Sequence, residues 1–395
     1  MDNRKKSVHK KHKDVSQVAI VGIGCTAVKS ASPDVSYREM IYEAAVKAYS
    51  DAGIEPKDIG SFVSAAEDFH EGISISDEYV PDQLGAVLKP VQTITGDGIH
   101  AFITGYMQIL TGLVDTVVIE THSKVSNIKN LTSVTRLALD PIYNYPLGQH
   151  PYFVAGMEMS RYMHESGTTR EQCARVVVKN KRNALKNPLA GCGANINIEN
   201  VLNSEMQFYP LTTLDIAPHA DGATVIVLAS AKKAKTLKGK PVWIKGVGWC
   251  SDAPSLETRE WAGAPYAQLA AKQAYRMAEI RSPAEEIDFA ELDDSYSYKE
   301  LQHLEALGLC EKGKAGRMLE KGFFDKDGKF PVNVSGGCLG VGYTLEMTGL
   351  QKVMEVALQL RGNAGERQID GVRTGIAQSW RGVPTTSGAV VILSA

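Results

Sequence analysis

Cysteine is scarce and poorly placed for a metal or a cross-link: six residues, at 25, 173, 192, 250, 310 and 338, form no Cys-x-x-Cys pair and have no histidine at ligand spacing. Neither a zinc site nor a disulfide scaffold follows, and a reducing cytoplasm is the expected setting. Charge of one sign is also missing. Lys and Arg number 43 against 45 Asp and Glu, a formal net charge of -2, which excludes a nucleic-acid binder that works through bulk positive charge. No apolar run approaches the roughly 18 to 20 residues that cross a bilayer, and no apolar h-region marks a secretory signal at the start. What is present, 44% hydrophobic and 22% charged residues in 395, suits a globular chain long enough for two packed cores.

Residues 1–14 hold six Lys/Arg and almost nothing apolar. They cannot offset their ordering entropy by burial, so residues 1–16 read as a flexible basic tail. A mitochondrial address would need an amphipathic apolar face that this stretch lacks. From Val18 the pattern changes to VAIVGIG, a continuous apolar run suited to a strand buried on both faces, and PVWIKGVGW at 241–249 repeats it. Between them Ala44, Ala45, Ala48, Tyr49, Ala52 and Ile54 recur at helical spacing. At a constant offset they match Ala270, Ala271, Ala274, Tyr275, Ala278 and Ile280. IGSFVSAA follows one helix, IDFAEL the other, and the two stretches close alike on GATVIVLAS (222–230) and GAVVILSA (388–395).

The repeat predicts a duplicated α/β module. Residues 17–120 with 211–236 form the first half, 237–395 the second, and 121–210 an inserted loop domain. Helices are expected in the insertion near 156–166 and 169–185, the latter begun by Thr168-Thr169-Arg170-Glu171 as a cap. Helices on both faces of mainly parallel sheets place ligands beyond the strand carboxyl ends, in the loops where the halves meet. Glycines 336, 337, 340 and 342 lack the Lys-Ser/Thr of a phosphate loop and do not follow a first strand, so nucleotide hydrolysis and dinucleotide binding are excluded.

Three stretches carry a family likeness: RYMHESGTTREQCARVVVKNKRNALKNPLA (161–190), PLTTLDIAPHADGATVIVLA (210–229) and NVSGGCLGVGYTLEMTGLQ (333–351). With them, the chain from Val18 to Ala395 resembles the thiolase superfamily, in particular its sterol-carrier-type and archaeal branch. The resemblance implies a duplicated five-layered αβαβα fold with an inserted loop domain, a homodimer, coenzyme A thioesters as substrates, and no tightly bound cofactor or metal.

The resemblance also implies a nucleophilic Cys at a helix N-terminus, where dipole and N–H groups favour a thiolate and an oxyanion. Within TITGDGIHAFITGYMQILTGLVDTVVI (93–119), fixing Gly98 as the glycine three after the nucleophile puts Thr95 at that position. A hydroxyl there cannot replace a thiolate without a base beside it. The family's Gly-His-Pro loop reads Gly342-Tyr343-Thr344, its oxyanion loop reads Asp293-Asp294-Ser295-Tyr296, and a late catalytic loop reads Gln378-Ser379-Trp380-Arg381-Gly382. Asn333, Ser335, Gly336, Gly337, Gly349, Asp221 and Gly222 match. Scaffold positions are kept while acid, base and nucleophile differ.

Ping-pong thiolysis therefore lacks its acyl carrier. A retro-aldol cleavage of a 3-hydroxyacyl-CoA needs only an enolate-stabilising cleft, a base and an acid. Backbone N–H groups near Gly98, Gly342 and Gly382 are the expected oxyanion donors, Tyr343 the acid, and Asp293, Asp294, His100 or His122 the base, His122 from a loop after VVIET. Thiolase-fold aldolases that the chain resembles work with a small zinc-ribbon and OB-fold partner, which extends the expectation to such a partner here. Blander roles stay open: Tyr343 as a filler of the histidine's space, Asp293 and Asp294 as helix caps, His100 as a packed histidine. His219, Trp380 and Arg381 are candidate substrate contacts, Glu346 a candidate base or contact reaching the cleft, and Cys338 a candidate relocated nucleophile or a packing residue. The rival functions are a non-catalytic thiolase-like subunit and an acyltransferase with an unusual nucleophile.

Overall fold

The structure is a computed structural model that describes residues 17–67, 76–253, 255–382 and 386–395. The basic tail expected at 1–16 lies outside the described residues. The first half contains β1 (Val18–Cys25), α1 (Tyr37–Ala52), β2 (Ser61–Ala65), β3 (Val91–Ile94), α2 (Gly98–Leu110) and β4 (Thr116–Ser123), and closes on β5 (Gly222–Ser230). Between β4 and β5 run α3 (Pro151–Ser166) and α4 (Arg170–Ala184). The second half contains β6 (Val242–Ser251), α5 (Pro265–Ala278), β7 (Phe289–Glu291), α6 (Ser297–Ala306), the short α7 (Gly337–Val341), α8 (Met347–Arg361), β8 (Thr374–Arg381) and β9 (Ser387–Ser394).

Strand order is β3-β2-β4-β5-β1-β6-β9-β8-β7. Two half-sheets meet where β1 touches β6 through only two residue pairs, Ala19 with Trp243 and Ile20 with Val242. β2 pairs parallel with β3 and β4, and β7 with β8. The strands that close each half, β5 and β9, run antiparallel to their neighbours, so the sheet is mixed rather than mainly parallel. An apolar run buried on both faces reads the same in either direction, which is why the sequence could not separate the two pairings.

Alternate residues of β1 enter different cores, which produces the layering. Ala19 and Val21 pack with Ala44, Ala45 and Ala48 of α1 on one outer face. Val18 and Ile20 enter a central core with Phe102 of α2 and Val353 of α8, and that core continues into Val391 and Leu393 of β9. Beyond the second half-sheet, Ala270, Ala271 and Ala274 of α5 form the other outer face. The order is helix, sheet, paired helices, sheet, helix: the expected five-layered αβαβα fold. Among the described residues no helix is long and apolar enough to cross a membrane.

The duplicated alanines have a matching partner in the strands. A Cβ on Gly24 would sit 1.9 Å from the Ala44 carbonyl oxygen, and one on Gly248 would sit 2.1 Å from that of Ala270. Each outer helix lies against its sheet at a glycine in both halves. Gly24→Ala must push α1 off β1, and overpacking of this kind costs about 1–3 kcal/mol; urea denaturation should show the loss. A variant as stable as the parent would mean that α1 can shift freely.

α1 starts with a full capping box, Ser36 and Glu39, and ends on Gly53 at φ 65°. The cap of α4 falls one residue later than expected. Thr169 accepts from the Gln172 N–H and the Gln172 side chain answers the Thr169 N–H, because Gln serves at the third helical position as Glu does.

Candidate active site

Where the halves meet, a cleft of about 280 Å³ opens. The insertion supplies Lys129, Leu131, Thr132 and Tyr152, the turn before β5 supplies His219, the loop after β7 supplies Ser295 and Tyr296, the turn before α8 supplies Tyr343 and Leu345, and the end of β8 supplies Arg381 and Gly382. Of the residues singled out in the sequence, His219, Tyr343, Arg381 and Gly382 are therefore in the wall.

Tyr343 is fixed by its backbone. Its N–H donates to the Pro218 carbonyl at 2.7 Å, its carbonyl accepts from the Ala220 N–H at 3.0 Å, and its ring meets His219 edge-on at 5.5 Å between centroids. A Cβ on Gly382 would lie 3.9 Å from the Tyr343 hydroxyl, so glycine there leaves that hydroxyl room. Burial, then the nearby charges of Asp293 and Glu346, push the phenol well above its ordinary pKa. At neutral pH it is an uncharged proton donor.

The two adjacent acids have separate duties. Asp294 is fully buried and accepts from Asn180 Nδ2 at 2.7 Å and from the N–H groups of Cys338 and Leu339 at 2.5 and 3.2 Å, with the Lys352 ammonium 3.7 Å away. It caps α7 and is an anchor, so the expectation that it acts as a base is corrected: its oxygens are committed inside the protein. Asp293 holds Ser295 instead, accepting from the Ser295 N–H at 3.0 Å and its hydroxyl at 2.7 Å. Burial raises Asp293 to about 6. Since Ser295 lines the cleft, its hydroxyl connects a buried carboxylate to the open site.

Other expectations need correcting. Thr95 is exposed, outside the cleft wall, and precedes α2. The helix N-terminus is occupied by Asp97, whose carboxylate accepts from the N–H groups of Ile99 and Gly349 at 2.9 Å each and is raised by burial to about 6. The Gly98 N–H donates to the Glu346 carbonyl at 2.7 Å and that of Gly342 to the Cys338 carbonyl at 2.9 Å. Two of the three expected oxyanion donors are spent within the fold. His122 lies within β4, not in a loop; it hydrogen-bonds Glu120 at 2.8 Å and stacks on Tyr37. With Val118 it points to the α1 side, because side chains alternate along a strand. His100, on α2, lines no part of the cleft, and burial lowers it to about 4. Cys338 is buried beneath the loop, 4.0 Å from Asp293, and burial drives its thiol well above its ordinary pKa, so it is not a thiolate. Glu346 is buried behind the wall and contributes its charge, not a contact, to the cleft. Trp380 is also behind the wall, packed beside Tyr296 and under the Lys299 ammonium at 3.9 Å from its ring centre, whereas Arg381 pairs with Glu67 of the other half.

Among the residues of the wall that were not singled out are Tyr152, Tyr296 and Ser295. For the last two a signal existed in the Asp293-Asp294-Ser295-Tyr296 stretch, whose strand-end position was recognised. For Tyr152, on an insertion helix, none did. Among the described residues no group of three His, Cys, Asp or Glu could hold a metal.

The raised Asp293 fixes a sign for stability. Its folded pKa, about 6, lies above the unfolded value near 4. The native state thus holds the extra proton between them, and stability falls as pH rises from about 4 to about 6. Against Asp293→Asn, which does not titrate, the parent should lose on the order of 2 kcal/mol across that window. Urea denaturation at several pH values checks it; parallel pH curves for the two proteins would show that Asp293 keeps an ordinary pKa.

Comparison with known proteins places this geometry. Residues 250–395 match the family described as thiolase C-terminal domain-like. The chain is 34% identical to an acetyl-CoA acetyltransferase of Methanothermobacter thermautotrophicus over 95% of this chain and 99% of that protein. The chain belongs to the thiolase superfamily. It is also 31% identical to the 17-hydroxy-3-oxo-4-pregnene-20-carboxyl-CoA lyase of Mycobacterium tuberculosis over 94% of this chain and 98% of that one. In structure it resembles the Ltp2-ChsH2(DUF35) aldolase with a TM-score of 0.83 and 28% identity, covering 96% of this chain and 98% of the other. As a member of the superfamily it is marked by a carboxylate, Asp97, at the α2 N-terminus and by a tyrosine, Tyr343, at the position where the family resemblance expects histidine.

Proposed function

We propose that this thiolase-like acyl-CoA-processing protein is a carbon–carbon lyase of aldolase type, cleaving a 3-hydroxyacyl-CoA to a carbonyl compound and a shorter acyl-CoA. The observation that carries the reading is the pairing, at one cleft, of an uncharged phenol, Tyr343, with the Ser295–Asp293 couple, while among the described residues no cysteine lines that cleft. Relatives named for a CoA lyase and an aldolase support it.

The chemistry balances without a covalent intermediate. Asp293, through the Ser295 hydroxyl, takes the proton of the substrate's 3-hydroxyl. The oxygen's electrons form the new carbonyl as the C2–C3 bond breaks, and its electron pair becomes a thioester enolate. Tyr343 donates a hydrogen bond to the developing charge and then a proton to C2. Because the Gly98 and Gly342 N–H groups are spent, the hydroxyl of Tyr343 carries much of the stabilisation that those backbone donors were expected to give.

Those same spent donors favour one rival, a thiolase-like subunit without catalysis. An acyltransferase using Thr95 or Cys338 is disfavoured by the exposure of the first and the neutral, buried thiol of the second. The family resemblance supports a homodimer, the two-component aldolase neighbour supports a partner protein, which the resemblance alone expects to be a small zinc-ribbon and OB-fold one, and the cysteine usage supports the cytoplasm.

Incubation with a panel of 3-hydroxyacyl-CoA compounds, with and without a co-expressed zinc-ribbon protein, tests the reading. A ketone or aldehyde appearing together with a shorter acyl-CoA is expected. Binding of the panel without either product, in both preparations, would favour the silent subunit.

A further inference from the structure

Three carboxyls converge behind the cleft: Glu291 at the end of β7, and Asp293 and Asp294 in the loop after it, all fully buried. Two are tied to neighbours of the site. Glu291 accepts from the Ser335 N–H at 3.1 Å and its hydroxyl at 2.6 Å, and Asp293 holds Ser295. Three acids in a low-dielectric interior cannot all ionise without a cation. Lys352, on the central helix α8, reaches this place from the layer between the sheets. It is 4% exposed, its ammonium is 3.7 Å from Asp294, and Asp294 in turn binds the N–H of Cys338, whose sulfur lies 4.0 Å from Asp293.

We propose that Lys352 is a positioning residue of this site, an internal cation that holds Asp294 and, by the charge it places beside this loop, keeps Asp293 ionised so that the Ser295 hydroxyl can pass a proton inward. The inference rests on the lyase reading only for what Asp293 does in turnover; the electrostatic hold is a property of the resting protein. Lys352 counts among the charges acting on Glu291, Asp293 and Cys338. The other groups around the cluster are Tyr343 and Glu346 on the cleft side, Glu355 of α8 paired with Arg367, Glu300, His303 and Lys299 of α6, and Lys179 and Lys181 of α4. Of these, Lys179 is paired with Glu300 and Lys299 with Glu158. Lys352 is thus a cation directed at the loop that carries Asp293, and among the described residues it forms no salt bridge outside this cluster.

The test follows the Asp293 carboxyl by carbon-13 NMR titration in labelled, full-length protein, the resonance being assigned by its loss in Asp293→Asn. Lys352→Met removes the charge and keeps the length, and is expected to raise the Asp293 midpoint by about one pH unit or more, with Lys352→Arg returning it towards the parent. If a substrate turns over, the acidic limb of the kcat profile should move with the midpoint. A midpoint unchanged in a folded Lys352→Met protein overturns the proposal. Should that variant fail to fold, Glu291→Gln, which removes an acid competing for the same ammonium, must lower the Asp293 midpoint, and an unmoved midpoint there overturns it equally. A shifted midpoint with no cleavage of any 3-hydroxyacyl-CoA would sink the lyase reading and leave the role of Lys352 standing.

Discussion

Tyr343→Phe should lower the turnover of a cleaved 3-hydroxyacyl-CoA by about 10²- to 10⁴-fold, the range that a positioned proton donor contributes. KM should change little. The substitution leaves the ring against His219 and the backbone ladder to Pro218 and Ala220 intact, so only the hydroxyl is lost. The size of the effect follows from what is missing elsewhere. With the Gly98 and Gly342 N–H groups engaged inside the fold, the enolate has few other donors, and a phenol kept protonated by burial and by neighbouring carboxylates is the group best suited to the task. Tyr152→Phe, changing a wall residue farther along the insertion, serves as the comparison and should cost much less. Parent-like turnover by Tyr343→Phe would reject it as the acid and reduce it to a residue that fills space.

The second large effect is on stability and separates the neighbouring acids. Asp294→Ala strips acceptors from Asn180, Cys338 and Leu339 and leaves the buried Lys352 ammonium without the carboxylate it pairs with. Breaking a buried ion pair by deleting one member costs about 3–5 kcal/mol, and the uncapped α7 adds to the loss. Chemical denaturation should therefore show a much less stable protein. Asp293→Asn, one residue earlier, keeps an oxygen for Ser295 and should remain folded while turnover falls. If Asp294→Ala were as stable as the parent and as inactive as Asp293→Asn, the assignment of anchor and base would be reversed.

Much of the frame was legible without coordinates. The repeated alanines, read from spacing alone, are the buried faces of α1 and α5, and the closing strands GATVIVLAS and GAVVILSA are β5 and β9. Local pattern suffices there because a helix or a doubly buried strand declares its core face in its own residues. The site was less legible. Tyr343, His219, Arg381 and Gly382 were found because they sit at loop positions shared with the family resemblance. Thr95 was misplaced because aligning on Gly98 says nothing of which residue caps the helix, and Asp97 takes that place. His122 was misplaced by the end of its strand: β4 runs to Ser123, two residues beyond VVIET, and the extra pair returns the ring to the α1 face.

The chain's own order of residues determined the duplication, the helix faces and the tyrosine at 343. Only the folded molecule decided which donors are free and which acid is which. Asp293 and Asp294 differ by one position, yet one meets α7 and Lys352 while the other meets Ser295. Hydrogen bonds saturate: a group held by a partner brought from far along the chain has nothing left for substrate, and which partner arrives depends on how the layers pack.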